Sequence, residues 1–166
     1  MMSVLEKISR YNLSNYLLPG IVFIAFTSKT TEFDIIKLFN ENLVIILFLA
    51  YFTGTIISRI GSLIFEPILR KIKFVTFAKY PDYLEVQKID KKLDDLSEEN
   101  NTYRTYISLF AILLIFYLFI FLAEYFSLYI KDVGIILVGA LFVLFLFSYR
   151  KQTNYIRSRV NKNLNK

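Results

Sequence analysis

The sequence predicts an all-α integral membrane protein with four transmembrane helices and a short cytoplasmic amphipathic helix between the second and third. Three observations carry this. Of the 166 residues, 55% are hydrophobic and only 20% charged, against about 45–50% apolar and about 25% charged in soluble domains. The apolar excess is gathered into blocks that approach the roughly 20 residues a helix needs to cross a bilayer. Of the 20 Lys and Arg residues, all except Lys29, Lys37 and Lys131 fall on one side of the membrane when the blocks are threaded as four spans. The same asymmetry puts both termini in the cytoplasm and the protein in the inner (cytoplasmic) membrane.

The first apolar run, Leu17 to Phe26, is short and carries Pro19 and Gly20. Lys7 and Arg10 ahead of it resemble the opening of a signal peptide, but no small-x-small cleavage site follows. The reading adopted is a span starting near Pro19, where proline suits the first helical turn, with a re-entrant or tilted segment as the alternative. A short amphipathic helix around Val4, Leu5 and Ile8 would precede it. The second span runs from Leu43 to Ser58 and stays mostly apolar to Phe65. The third, Tyr106 to Ala123, has no charge before Glu124, and the fourth, Val133 to Tyr149, stops at Arg150 and Lys151. None shows strand-like alternation, and helices satisfy their own backbone in lipid.

The chain accordingly divides into a membrane half with two spans (1–69), a cytoplasmic helical segment (70–104), a membrane hairpin (105–149) and a basic cytoplasmic tail (150–166). In the cytoplasmic segment, basic and aromatic residues from Lys71 to Tyr80 suit a strip in the headgroup region. After Pro81, the 3-4-3 spacing of Val86, Ile89, Leu93 and Leu96 predicts one amphipathic helix with a coiled-coil-like seam. Packing of this seam on its own chain is favoured over self-association. The paired Asn100 and Asn101 predict a turn or helix break, and Arg104 reads as a snorkelling anchor. The tail has six basic and no acidic residues, with Ile156, Val160 and Leu164 at every fourth position. It suits an anionic leaflet, where each basic residue contributes about 1 kcal/mol. Nucleic-acid binding lacks any supporting motif.

The second span poses the main chemical question. Around a helix, Tyr51, Thr55, Ser58, Ser62 and Glu66 form a polar stripe with Arg59 at its edge, beside a small-residue flank of Ala50, Gly54 and Gly61. Ala50, Gly54, Gly61 and Ser62 are the predicted helix-packing and oligomer-forming residues, because small residues let helices approach closely in lipid. Thr55, Ser58, Arg59 and Glu66 are the predicted polar seam, which either hydrogen-bonds across a helix interface or lines a pore. Glu66 precedes Arg70 in the favourable helical order, although Pro67 biases Glu66 away from helix. Arg59 and Glu66 lie too far apart along one helix to bond directly, so they meet only through another helix or subunit.

Cysteine, histidine and tryptophan are absent, which excludes disulfides, thiolate nucleophiles and Cys/His zinc sites. No enzyme activity, cofactor or metal is expected. The strings "SRIGSLIFEP" (Ser58 to Pro67) and "LSEENNTYRT" (Leu96 to Thr105) resemble signatures of small bacterial multi-pass inner-membrane proteins. Membrane subunits of phage-defence systems are built similarly, and the resemblance implies a non-enzymatic role. The expectation is an oligomeric membrane scaffold, sensor or effector that contacts anionic lipid and a cytoplasmic protein partner. The alternative is a small channel or transporter lined by the second helix.

Overall fold

The computed structural model describes residues 10–30, 42–126 and 140–150 except 146 and 149, and all regular structure among these residues is helical. Helix α1 covers residues 10–30. It begins with Arg10–Asn12, widens into a π-helical turn at Leu13–Leu17 and continues as Leu18–Thr30. Helix α2, Leu43–Lys71, consists of Leu43–Ile60, a second π-helical turn at Gly61–Phe65, and Glu66–Lys71. Its start is set by Asn42, whose side chain accepts from the backbone N–H of Val44 and Ile45. Helix α3 is Tyr80–Val86 and α4 is Lys92–Phe126.

Two helices, α2 and α4, are long and apolar enough to cross a membrane. Their outward faces present large apolar side chains, with Phe48 68% and Leu114 71% exposed. A soluble surface rarely carries such continuous apolar area. The apolar part of α1, Leu18–Thr30, is 13 residues long and lies antiparallel against α2. Residues 140–145 of the expected fourth span are helical, and Phe145 stacks on Phe52 of α2. The amphipathic helix expected at Val4, Leu5 and Ile8 and the tail with Ile156, Val160 and Leu164 lie outside the described residues.

Four local expectations need correction. Pro19 does not open α1, because helix already precedes it. The Leu18 N–H reaches back five residues to Leu13 O, so a widened turn sits just ahead of the proline. Pro67 does not push Glu66 out of the helix either: Glu66 has φ −58° and ψ −48°, and its N–H bonds to Gly61 O, again five residues back. In both places the π turn relieves the clash and the lost hydrogen bond that proline imposes on an α-helix. Thirdly, the expected amphipathic helix is split by turns at 87–89, and Asp90 restarts the chain by accepting from the Lys92 N–H. Its seam is not packed on the chain: Val86, Ile89 and Leu96 are exposed, Ile89 by 87%, and Leu84 is buried instead. Finally, Asn100 and Asn101 break nothing. α4 runs through them for 35 residues, about 52 Å, because an Asn inside a helix costs only a few tenths of a kcal/mol against tertiary packing.

Close backbone approach holds α1, α2 and α4 together. A Cβ on Gly20 would collide with the Ala50 carbonyl, one on Gly54 with the Tyr16 carbonyl, and one on Gly61 with Ser108 Oγ. Where lipid removes the hydrophobic drive between helices, such contact supplies the packing energy instead. The apolar core beneath is Ile57, Leu109 and Leu113, with Val22, Phe23, Tyr106 and Ile112 around it. The N-terminal part of α1, the C-terminal part of α2 and the N-terminal part of α4 come together at one end of the bundle.

Candidate functional site

Two polar clusters sit at that end, each built around one π turn. In the first, Asn15 from the π turn of α1 meets Ser58 of α2 and Thr105 of α4, and both Asn15 and Thr105 are completely buried. Thr105 donates its hydroxyl to Asn15 Oδ1 at 2.6 Å, and the Asn15 amide donates to Ser58 Oγ at 3.3 Å and to the Tyr11 hydroxyl at 3.2 Å. Ser58 Oγ and Thr105 Oγ1 are 3.1 Å apart, which closes a ring of neutral hydrogen bonds across three helices. Buried polar groups are tolerated only when paired, and here each is. Tyr11 lies ahead of the apolar run of α1. Burial pushes its phenol up to about 12, with Tyr16 adding to the effect, so its hydroxyl keeps its proton.

The second cluster is charged. Glu66, at the end of the π turn of α2, accepts from Arg104 Nη1 of α4 at 2.5 Å, and Arg70 Nη1 stands 3.9 Å from its other oxygen. The π turn makes this possible. In an unbroken α-helix, Ser58 and Glu66 would point about 80° apart, and one extra residue in the turn reduces the offset to about 20°. Both then face α4. The Glu66 side chain is only 10% exposed, so removing its partner would leave a charge largely shielded from water.

Beyond Arg70 the chain turns sharply. Lys73 adopts φ +59°, Lys73 N–H bonds to Arg70 O, and Phe74 N–H bonds to Leu69 O. This is a Schellman closure with a lysine where glycine is usual. It sends the following strap back over the helix ends, where Phe77 lies under the Arg70 guanidinium at 5.0 Å. The strap, the ends of α1 and α2, and the first turns of α4 enclose a cavity of about 580 Å³. Its lining includes Arg59, Arg70, Lys79 and Arg104 against the single carboxylate of Glu66, with Tyr11, Tyr16, Tyr80 and Tyr83 among its walls.

The predicted residues are distributed as follows. Ala50, Gly54, Gly61 and Ser62 are buried inside the protomer, covered by α1 and α4. Ser58 belongs to the neutral ring and Glu66 to the charged pair, while Arg59 lines the cavity. Thr55 donates its hydroxyl to Tyr51 O of its own helix. Val86, Ile89, Leu93 and Leu96 contribute nothing to the site. Arg104 is far more than an anchor at the membrane boundary, since it holds Glu66. Asn15, Thr105 and Ser108 escaped notice. Their signal was polarity at the edge of an apolar run, which only a partner helix makes meaningful. The segments Ser58 to Pro67 and Leu96 to Thr105 meet through the Ser58–Thr105 and Glu66–Arg104 contacts of α2 and α4.

Compared with protein-family models, curated proteins and solved structures, the chain has no match.

Proposed function

We propose that the chain is a non-enzymatic, multi-pass protein of the cytoplasmic membrane that acts as a sensor or scaffold through the basic cavity at the cytoplasmic ends of α1, α2 and α4. The observation that carries this reading is the cavity's composition. Four basic side chains and one paired carboxylate line it, directly above a bundle locked by the Asn15–Ser58–Thr105 ring. Such a site is suited to binding and positioning a charged group, with its one carboxylate held by Arg104. A pore along the second helix fits less well, because Ser58 and Thr55 already use their hydroxyls in helix contacts. Self-association falls to the outer faces of α2 and α4, since Gly54 and Gly61 are covered within the protomer. Phage defence is the proposed cellular setting, on the resemblance of the Ser58–Pro67 and Leu96–Thr105 strings.

Single-cysteine labelling tests the reading cleanly, because the native chain has no cysteine. Ser97→Cys, beside the cavity, should react with a membrane-impermeant maleimide only after cells are opened. Lys131→Cys should react in intact spheroplasts. Recovery of the protein in the soluble fraction, or the reverse labelling pattern, would overturn the proposal.

A further inference from the structure

We infer that the cavity above the Glu66–Arg104 pair binds a phosphate-bearing anion, with Arg59 as its principal ligand. This inference rests on the proposed reading of the cavity as the functional site and names what fills it.

The argument begins with charge. Glu66 is held by Arg104 and approached by Arg70, so the only lining carboxylate is already engaged by two guanidinium groups. Arg59 and Lys79 remain. Neither side chain makes an ion pair or hydrogen bond among the described residues. Arg59 is the more telling of the two, because it is half-buried beside Ser58 and Ser62 at the edge of the second apolar run. An arginine at that depth is costly, and an anion in the cavity offsets that cost.

Shape and chemistry then select the anion. A volume of about 580 Å³ falls in the range of small-molecule sites. Arginine forks match phosphate oxygens in bidentate geometry, and a phosphate monoester carries enough charge to balance much of the lining's excess. Ser97, Asn100 and Asn101 of α4 add neutral donors at the rim, while Tyr80 and Tyr83 stack on one another at 6.5 Å to form an aromatic wall. Phosphate chemistry reaches this position from two sources: a lipid headgroup entering from the membrane, or a soluble phosphate entering from the cytoplasm.

The full-length protein, purified in a neutral detergent, separates them. Thermal unfolding is followed with inorganic pyrophosphate, with phosphatidylglycerol mixed micelles, and with phosphatidylcholine mixed micelles as control. Stabilisation by pyrophosphate identifies a soluble ligand, and stabilisation by phosphatidylglycerol alone identifies a headgroup. Either result supports the inference provided that Arg59→Gln weakens the effect by at least about tenfold in apparent affinity. Lys79→Gln, at an exposed position, gives a second variant whose folding is not in question and should weaken binding less. Absence of stabilisation by both probes, or equal stabilisation of wild type and Arg59→Gln, overturns it. The labelling pattern of Ser97→Cys and Lys131→Cys is independent of any ligand. Failure here with the expected labelling therefore sinks the anion and leaves the membrane reading standing.

Discussion

The turns at Leu13–Leu17 and Gly61–Phe65 are the same device used for two purposes. Each is a five-residue π turn, followed by one helical residue and then a proline, Pro19 in one case and Pro67 in the other. Each adds a residue to the helix and so changes which side chains face the neighbours. At the first turn the residue brought inward is neutral: Asn15, fully buried and hydrogen-bonded on both sides of its amide. At the second it is Glu66, buried as a charge and dependent on Arg104. The lesson is one of position. The neutral ring lies level with Ser58, where the apolar spans begin, and the charged pair lies farther out, under a cavity. A hydrogen-bonded amide survives where water is excluded, whereas an ion pair needs a guanidinium partner and a polar surround to repay its desolvation.

The largest expected effect comes from breaking the charged turn. Arg104→Ala removes the nearest guanidinium from the buried Glu66 carboxylate, and should cost about 3–5 kcal/mol in a denaturant titration of the purified protein. The double variant Arg104→Ala/Glu66→Gln should recover much of that loss, because the uncompensated charge is gone. Equal stability of the single and double variants would show that the pair is incidental.

The neutral turn is vulnerable through its backbone. Gly54→Ala drives a methyl group into the Tyr16 carbonyl within the first π turn, so the two helices must separate. A loss of about 3 kcal/mol is expected, with no rescue from added anion. A normal melting temperature for this variant would contradict the close crossing of α1 and α2.

A smaller effect sharpens the contrast. Thr105→Val keeps the shape of the side chain but removes the donor to Asn15 Oδ1, and about 1–2 kcal/mol should be lost. A double-mutant cycle with Ser58→Ala should show coupling, whereas one with Glu66→Gln should come close to additivity. Last and smallest, Lys73→Gly relieves the left-handed backbone that closes α2, and should stabilise the protein by about 1 kcal/mol. A loss of stability would mean that the Lys73 side chain itself has a contact worth more than the strain.

Much of this molecule was readable before any coordinates. The apolar runs at Leu43 and Tyr106 announced α2 and α4, and the stripe from Ser58 to Glu66 contained two of the site's central residues. The spacing of Arg59 and Glu66 argued only against a direct bond between those two within one helix, and Glu66 finds its partner on α4 instead. What escaped was the identity of that partner, and the reason lies in phase. An angular projection assumes about 100° per residue throughout, and each π turn breaks that assumption without an unmistakable signature. In sequence, proline reads as a place where a helix starts or fails, so neither widened turn is visible there. The Val86 to Leu96 spacing misled for the opposite reason: a regular apolar repeat over so short a stretch has too little burial to hold a helix together across Gln87–Lys91.

The residues alone determined that the described chain is helical and that two of its helices are long and apolar enough to cross a membrane, where a helix satisfies its own backbone hydrogen bonds. They also determined which helix would be polar, since hydroxyls and glycines share one side of it. Only the tertiary structure decided that this side is covered by α1 and α4, that Arg104 completes Glu66, and that Arg59 is left facing a cavity. Those outcomes depend on how two widened turns rotate one helix against another, and that rotation is set by packing between segments far apart in the chain.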